Sequence, residues 1–212
     1  MKEKKVVYYW ILPILFTALL WIIKLLEYTY DTSLSLWGIY PKTISGLKGI
    51  LVAPLLHGSF NHLFSNTFPL IILSCGLLYF YKHSARITII IIYFGTNVLV
   101  WLFARQAYHI GSSGLIYGFV TFLFFSGVIR RDKRSIALAL LVTFLYGSLV
   151  WGVLPLRNSS SWESHIFGSL TGIACAIIFR KSDPYKVYDW EDEPDTENPD
   201  DLKVSHNPTD NF

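Results

Sequence analysis

Charge is scarce in this sequence. Only 16% of the 212 residues are Asp, Glu, Lys or Arg, while 52% are apolar. A soluble domain of this length has no interior large enough to hide that much apolar surface, whereas a bilayer does. The few charges are also unevenly spread. Lys and Arg dominate residues 1–181, and most Asp and Glu fall in 182–212. The net charge of +3 therefore averages a basic membrane part with an acidic tail, and it gives no reason to expect nucleic acid as a partner.

Cysteine is nearly missing. Cys75 and Cys175 both lie within apolar runs. That argues against a disulfide framework and for small, reduced core residues. No H-E-x-x-H motif occurs, so His57 and His62 are not read as metal ligands. A signal peptide is not indicated either. Lys2, Lys4 and Lys5 precede an apolar run, but it is too long for a signal core and no small-residue cleavage site follows.

What is present is a series of apolar stretches at about 6–26, 62–81, 87–104, 113–129, 135–154 and 162–179. Each comes near the roughly 20 helical residues that cross hydrocarbon. The expected fold is all-α: a polytopic bundle of six transmembrane helices in the lipid bilayer, over residues 1–181. Residues 182–212 read as a disordered, acidic cytoplasmic tail. Basic residues precede span one, link spans two to three and four to five, and close span six. The positive-inside rule then makes both termini cytoplasmic. With no organelle-targeting extension, a bacterial plasma membrane is the expected location. No inverted repeat is evident, which argues against a transporter.

The first outer loop, about 27–61, is too apolar to hang free and too broken by Pro41, Gly46 and Pro54 to span. It reads as an interfacial structure partly embedded in the membrane. Tyr93, Asn97 and Tyr146 read as packing or lateral-contact residues, and His83, His109 and His206 as solvated ones.

Polar side chains within lipid are costly, so each is a functional candidate. Helix rise estimates their depth. Counting from Arg130, Ser113 lies roughly 25 Å up its helix. Counting from Arg180 puts His165 roughly 22 Å up, and from Lys82 puts Asn66 roughly 24 Å up. Three polar residues on three helices thus share nearly one depth. Gly114 with Gly118, and Gly168 with Gly172, form small-xxx-small pairs that let spans four and six approach closely. That approach brings Ser113 and His165 toward one another as nucleophile and base. Ser113 also opens its helix, where unpaired backbone N–H groups favour a developing negative charge. His62 and Asn66, four apart, share a face and can donate to the same oxyanion. Tyr117, one turn on from Ser113, can pack on the imidazole of His165. Glu163, two residues before His165, points nearly the opposite way on a helix, so a Ser–His dyad without a carboxylate is expected.

These residues resemble the rhomboid family of intramembrane serine proteases. Gly111-Ser112-Ser113-Gly114 with Tyr117 is similar to the family's G-x-S-G and following Tyr. The run from His57 through His62 to Asn66 is similar to its H-x4-H-x3-N, and His165, Gly168 and Gly172 to its H-x2-G-x3-G. The resemblance implies Ser113 as nucleophile, His165 as general base, and His62 and Asn66 in the oxyanion hole. It implies that His57 supports the second span. It implies cleavage of transmembrane protein substrates near their outer ends, without metal or cofactor. One departure is that Trp37 is followed by Gly38, where the family often carries Trp-Arg. The alternative reading is a rhomboid-like protein that binds transmembrane clients without cutting them.

Overall fold

The computed structural model describes residues 3–154 and 161–184, with side chains from residue 9 onward. Among these residues the fold is all helical, apart from one isolated bridge between Ile39 and His109. Helices close their backbone hydrogen bonds internally, as lipid requires.

The chain runs through α1 (Glu3–Thr29), a loop holding the short α2 (Gly49–Val52), α3 (Phe60–Phe80), α4 (Ala85–Phe103) and α5 (Ser113–Arg130). It continues through α6 (Lys133–Tyr146), a 3-10 segment at Gly147–Val153, and α7 (Trp162–Ile178). Five apolar helical stretches are long enough to cross a membrane: Tyr9–Thr29, Phe60–Phe80, Ala85–Phe103, Ser113–Arg130 and Lys133–Val153. The protein is an integral membrane protein. At 17 residues, α7 is shorter. The fifth stretch differs from the even helix expected over 135–154. Its α-helical part ends at Tyr146 and the chain tightens into 3-10 turns. Gly147 and Gly152, both weak helix formers, fall in that segment.

Local chemistry sets the helix starts. The Ser59 hydroxyl caps α3 by accepting from the His62 N–H at 3.1 Å. The Asp132 carboxylate does the same for α6, accepting from Ser135 N–H at 2.9 Å.

The bundle is organised around α5. It is 61% buried, against at most 44% for any other spanning stretch. It packs against α3, α4, α6 and α7. Contact with α7 is closest, because glycines face glycines. A Cβ on Gly168 would collide with the Gly114 carbonyl, and one on Gly172 with the Gly118 carbonyl. Leu63, Leu70, Leu77, Ile92, Phe119 and Phe122 fill the core around this seam. By contrast, α3 and α6 leave an apolar groove of about 360 Å³ between them, walled by Ile72, Gly76, Leu141 and Leu145.

The loop between α1 and α3 is held at many points. Trp101 Nε1 donates to the Thr43 carbonyl at 2.9 Å, and Asn97 Nδ2 to the Ile50 carbonyl at 3.1 Å. Tyr93 Oη donates to the Leu51 carbonyl at 2.5 Å. Tyr93 and Asn97 are therefore fasteners for the loop rather than mere packing. Leu36, Trp37, Ile44 and Leu51 remain exposed on its outer surface. At the opposite end of the bundle Asp183 is buried. Its carboxylate accepts from His83 N–H at 2.8 Å, Ser84 N–H at 3.2 Å and the Ser84 hydroxyl at 2.7 Å. The rest of the acidic tail, with His206, lies outside the described residues.

Candidate active site

Ser113 is the first residue of α5, and the backbone delivers it through Gly111. Gly111 has φ +111°, a conformation that L side chains rarely adopt. A Cβ there would also lie 2.7 Å from His62 Cε1. Glycine is thus required twice, once by the backbone and once by the imidazole packed on it.

Ser113 Oγ lies 2.9 Å from His165 Nε2. On the other side of the ring, Nδ1 lies 2.7 Å from the Gly152 carbonyl oxygen. A carbonyl can only accept, so Nδ1 carries the proton and donates it there. Nε2 is then the acceptor, and the Ser113 hydroxyl donates to it. The imidazole is stacked on Tyr117 with centroids 4.1 Å apart and planes 9° from parallel. Tyr117 Oη donates in turn to the Leu149 carbonyl at 2.7 Å. Two carbonyls of one 3-10 segment therefore fix the tautomer of His165 and the ring beneath it.

Opposite stands the start of α3. Asn66 is buried, and its Nδ2 donates to His57 Nε2 at 3.2 Å. The Ser112 N–H reaches the same nitrogen at 3.4 Å, with the Ser112 hydroxyl at 3.2 Å. His57 thereby ties the amide of Asn66 to the backbone just before Ser113. Burial, and then the neighbouring His62, push its pKa down to about 3, so it is neutral and free to accept. The His57 and His62 rings meet edge to face at 5.0 Å.

These groups wall one open pocket of about 650 Å³, lined by His62, Asn66, Ser113, Tyr117 and His165. Gly111 underlies His62 and Gly114 faces Gly168, while His57 stands behind Asn66 and outside the pocket lining. Glu163 is turned away, with its carboxylate 3.3 Å from an Arg105 nitrogen. His109 departs from the solvated expectation and is 2% exposed. The Ile39 bridge draws it under the α1–α3 loop, where Nε2 donates to the Arg105 carbonyl at 3.0 Å and Nδ1 accepts from the Ser161 hydroxyl at 2.7 Å. Burial holds its pKa below the ordinary value. Sequence reasoning missed the Gly152 and Leu149 carbonyls and this Ser161 contact. The glycines at 147 and 152 were the only local signal for the first two.

Among the described residues no group of His, Cys, Asp and Glu is arranged to hold a metal ion.

The model of the rhomboid domain matches residues 45–182 of this chain. An uncharacterized protein of Mycobacterium tuberculosis (strain H37Rv) is 33% identical over 177 residues, covering 77% of this chain and 72% of its own. One from Mycobacterium bovis matches equally, and one from Mycobacterium leprae is 31% identical over 180 residues, covering 77% of this chain and 68% of its own. The match takes in α3 through α7, the helices that carry the Ser113 pocket, and on it the chain belongs to the rhomboid family.

Proposed function

We propose that this protein is an intramembrane serine endopeptidase that cleaves transmembrane protein substrates near the outer face of a bacterial plasma membrane. The observation that carries the reading is the hydrogen bond from Ser113 to a His165 whose other nitrogen is already committed to the Gly152 carbonyl. In this reading α7 is the sixth span, at about 25 Å long. Both termini are then cytoplasmic.

The chemistry follows from the tautomer. Ser113 Oγ attacks the scissile carbonyl carbon while His165 Nε2 takes its proton. The former carbonyl oxygen becomes an oxyanion at the open N-terminus of α5, met by the Ser113 N–H, His62 and the second N–H of Asn66. The imidazolium passes its proton to the departing amine, leaving an acyl ester on Ser113. Water then yields a proton to Nε2 and adds to the ester, and Ser113 regains its proton as the carboxylic product leaves. Nδ1–H stays on Gly152 throughout. A substrate helix enters sideways through the apolar groove between α3 and α6 and must unwind to reach Ser113.

A fluorophosphonate probe tests the nucleophile. Labelling that requires both Ser113 and His165 supports the protease. Persistent silence of folded protein sinks it and favours a client-binding role.

A further inference from the structure

α3 and α4 are consecutive, yet they barely touch. Between them opens a slot of about 350 Å³. Leu12 and Phe16 of α1 form one side, and Leu115 and Phe119 of α5 form the floor. The lining is apolar almost throughout, and its single charged residue is Arg86 at one mouth. The Arg86 guanidinium makes no hydrogen bond or ion pair with any described residue. Arg130, Arg131 and Arg134, at the same end of the bundle, each contact protein oxygens.

The slot's length limits its occupant. Its lining takes in roughly 10–12 Å of α4 and of α3, and from the level of Arg86 to that of Leu115 it reaches roughly 20 Å. That is short of the roughly 30 Å of hydrocarbon, too short for a transmembrane helix but suited to an acyl chain. A chain lying in it would carry its headgroup at the level of Arg86. A guanidinium matches a phosphate with paired N–H groups, and one with no partner among the described residues favours a headgroup with no cation of its own.

We propose that this slot binds one acyl chain of an anionic phospholipid, with the lipid phosphate on Arg86. The chain would lie against Leu115 and Phe119, in the first turns of the helix that starts at Ser113. Occupancy would thus add packing to that helix, whether or not the protein cuts substrates.

The test is native mass spectrometry of the full chain with phosphatidylglycerol and phosphatidylcholine supplied in equal amounts. Wild-type protein should retain phosphatidylglycerol about fivefold over phosphatidylcholine, the scale for one basic residue at a membrane surface. Arg86→Gln should abolish the preference, while Arg180→Gln, exposed at the same end but outside the slot, should keep it. Ser74→Phe, which fills the slot, should lower retention of both lipids. Excess glycerol 3-phosphate should displace neither. Equal retention by wild type, equal loss in the two arginine variants, unchanged retention by Ser74→Phe, or displacement by glycerol 3-phosphate would each overturn the proposal.

Discussion

Gly111→Ala perturbs the site by one methyl group. Two costs arise. The backbone at φ +111° suits glycine alone, and forcing a side chain into such a region costs about 1–3 kcal/mol. The new Cβ would lie 2.7 Å from His62 Cε1, an overpacking cost of about 1–3 kcal/mol unless the ring moves. Together they come to about 2–4 kcal/mol once partial relaxation is allowed. For a chain of this length that lowers the unfolding midpoint by roughly 4–16 °C. If His62 swings away, the proposed oxyanion donor goes with it, and turnover should fall about 100- to 1,000-fold. Unfolding and turnover in detergent read the two effects, and a double-mutant cycle with His62→Ala separates them. His62→Ala alone should lose turnover with little change in midpoint. Added to Gly111→Ala, it should recover the collision cost and leave the backbone cost. A Gly111→Ala protein with wild-type midpoint and turnover would refute the reasoning. A double variant less stable than Gly111→Ala would refute the collision.

Tyr117→Phe keeps the stack on His165 and removes the bond to the Leu149 carbonyl, so it should cost about 1 kcal/mol of stability with probe labelling retained. Tyr117→Leu removes the stack and should slow labelling as well. His57 binds a proton below its ordinary value of 6.5 when unfolded but only near about 3 when folded. Unfolding therefore takes up a proton between those values, and the midpoint should fall as pH falls through that window. His57→Gln should flatten this slope, and an unchanged slope would remove His57 as its cause. Asp183→Ala frees three donors at the start of α4, two of them backbone N–H groups, and should cost about 1–3 kcal/mol, seen in the midpoint. Labelling at Ser113, roughly 25 Å away along the bundle, should not change.

Much of this arrangement was legible because lipid simplifies the physics. Apolar runs gave several helices to within a residue or two, with 113–129 becoming Ser113–Arg130, but not the end of α6, which stops at Tyr146. Glycine pairs gave the α5–α7 seam, since small residues are what close packing in lipid needs. The shared depth of Ser113, His165 and Asn66 pointed to the pocket they line. What escaped were contacts made by backbone carbonyls and by partners that no motif marks. A carbonyl leaves no mark on composition, so the Gly152 contact to His165 and the 3-10 segment that offers it had no signal beyond the glycines at 147 and 152. His109 looked solvated because its partners, Ile39, Arg105 and Ser161, are brought together only by the fold. Asp183 looked like the first acid of the tail, yet its carboxylate meets N–H groups a hundred residues earlier. Tyr93 and Asn97 looked like packing, since the loop carbonyls they hold lie more than forty residues away in sequence.

Cleavage of a transmembrane helix by the purified protein, compared between wild type and Ser113→Ala at equal folded fraction, tests the account most directly. Wild type should cut the substrate near one end of its span, with the cut lost in Ser113→Ala and in His165→Ala. Cleavage that persists without the Ser113 hydroxyl would contradict it.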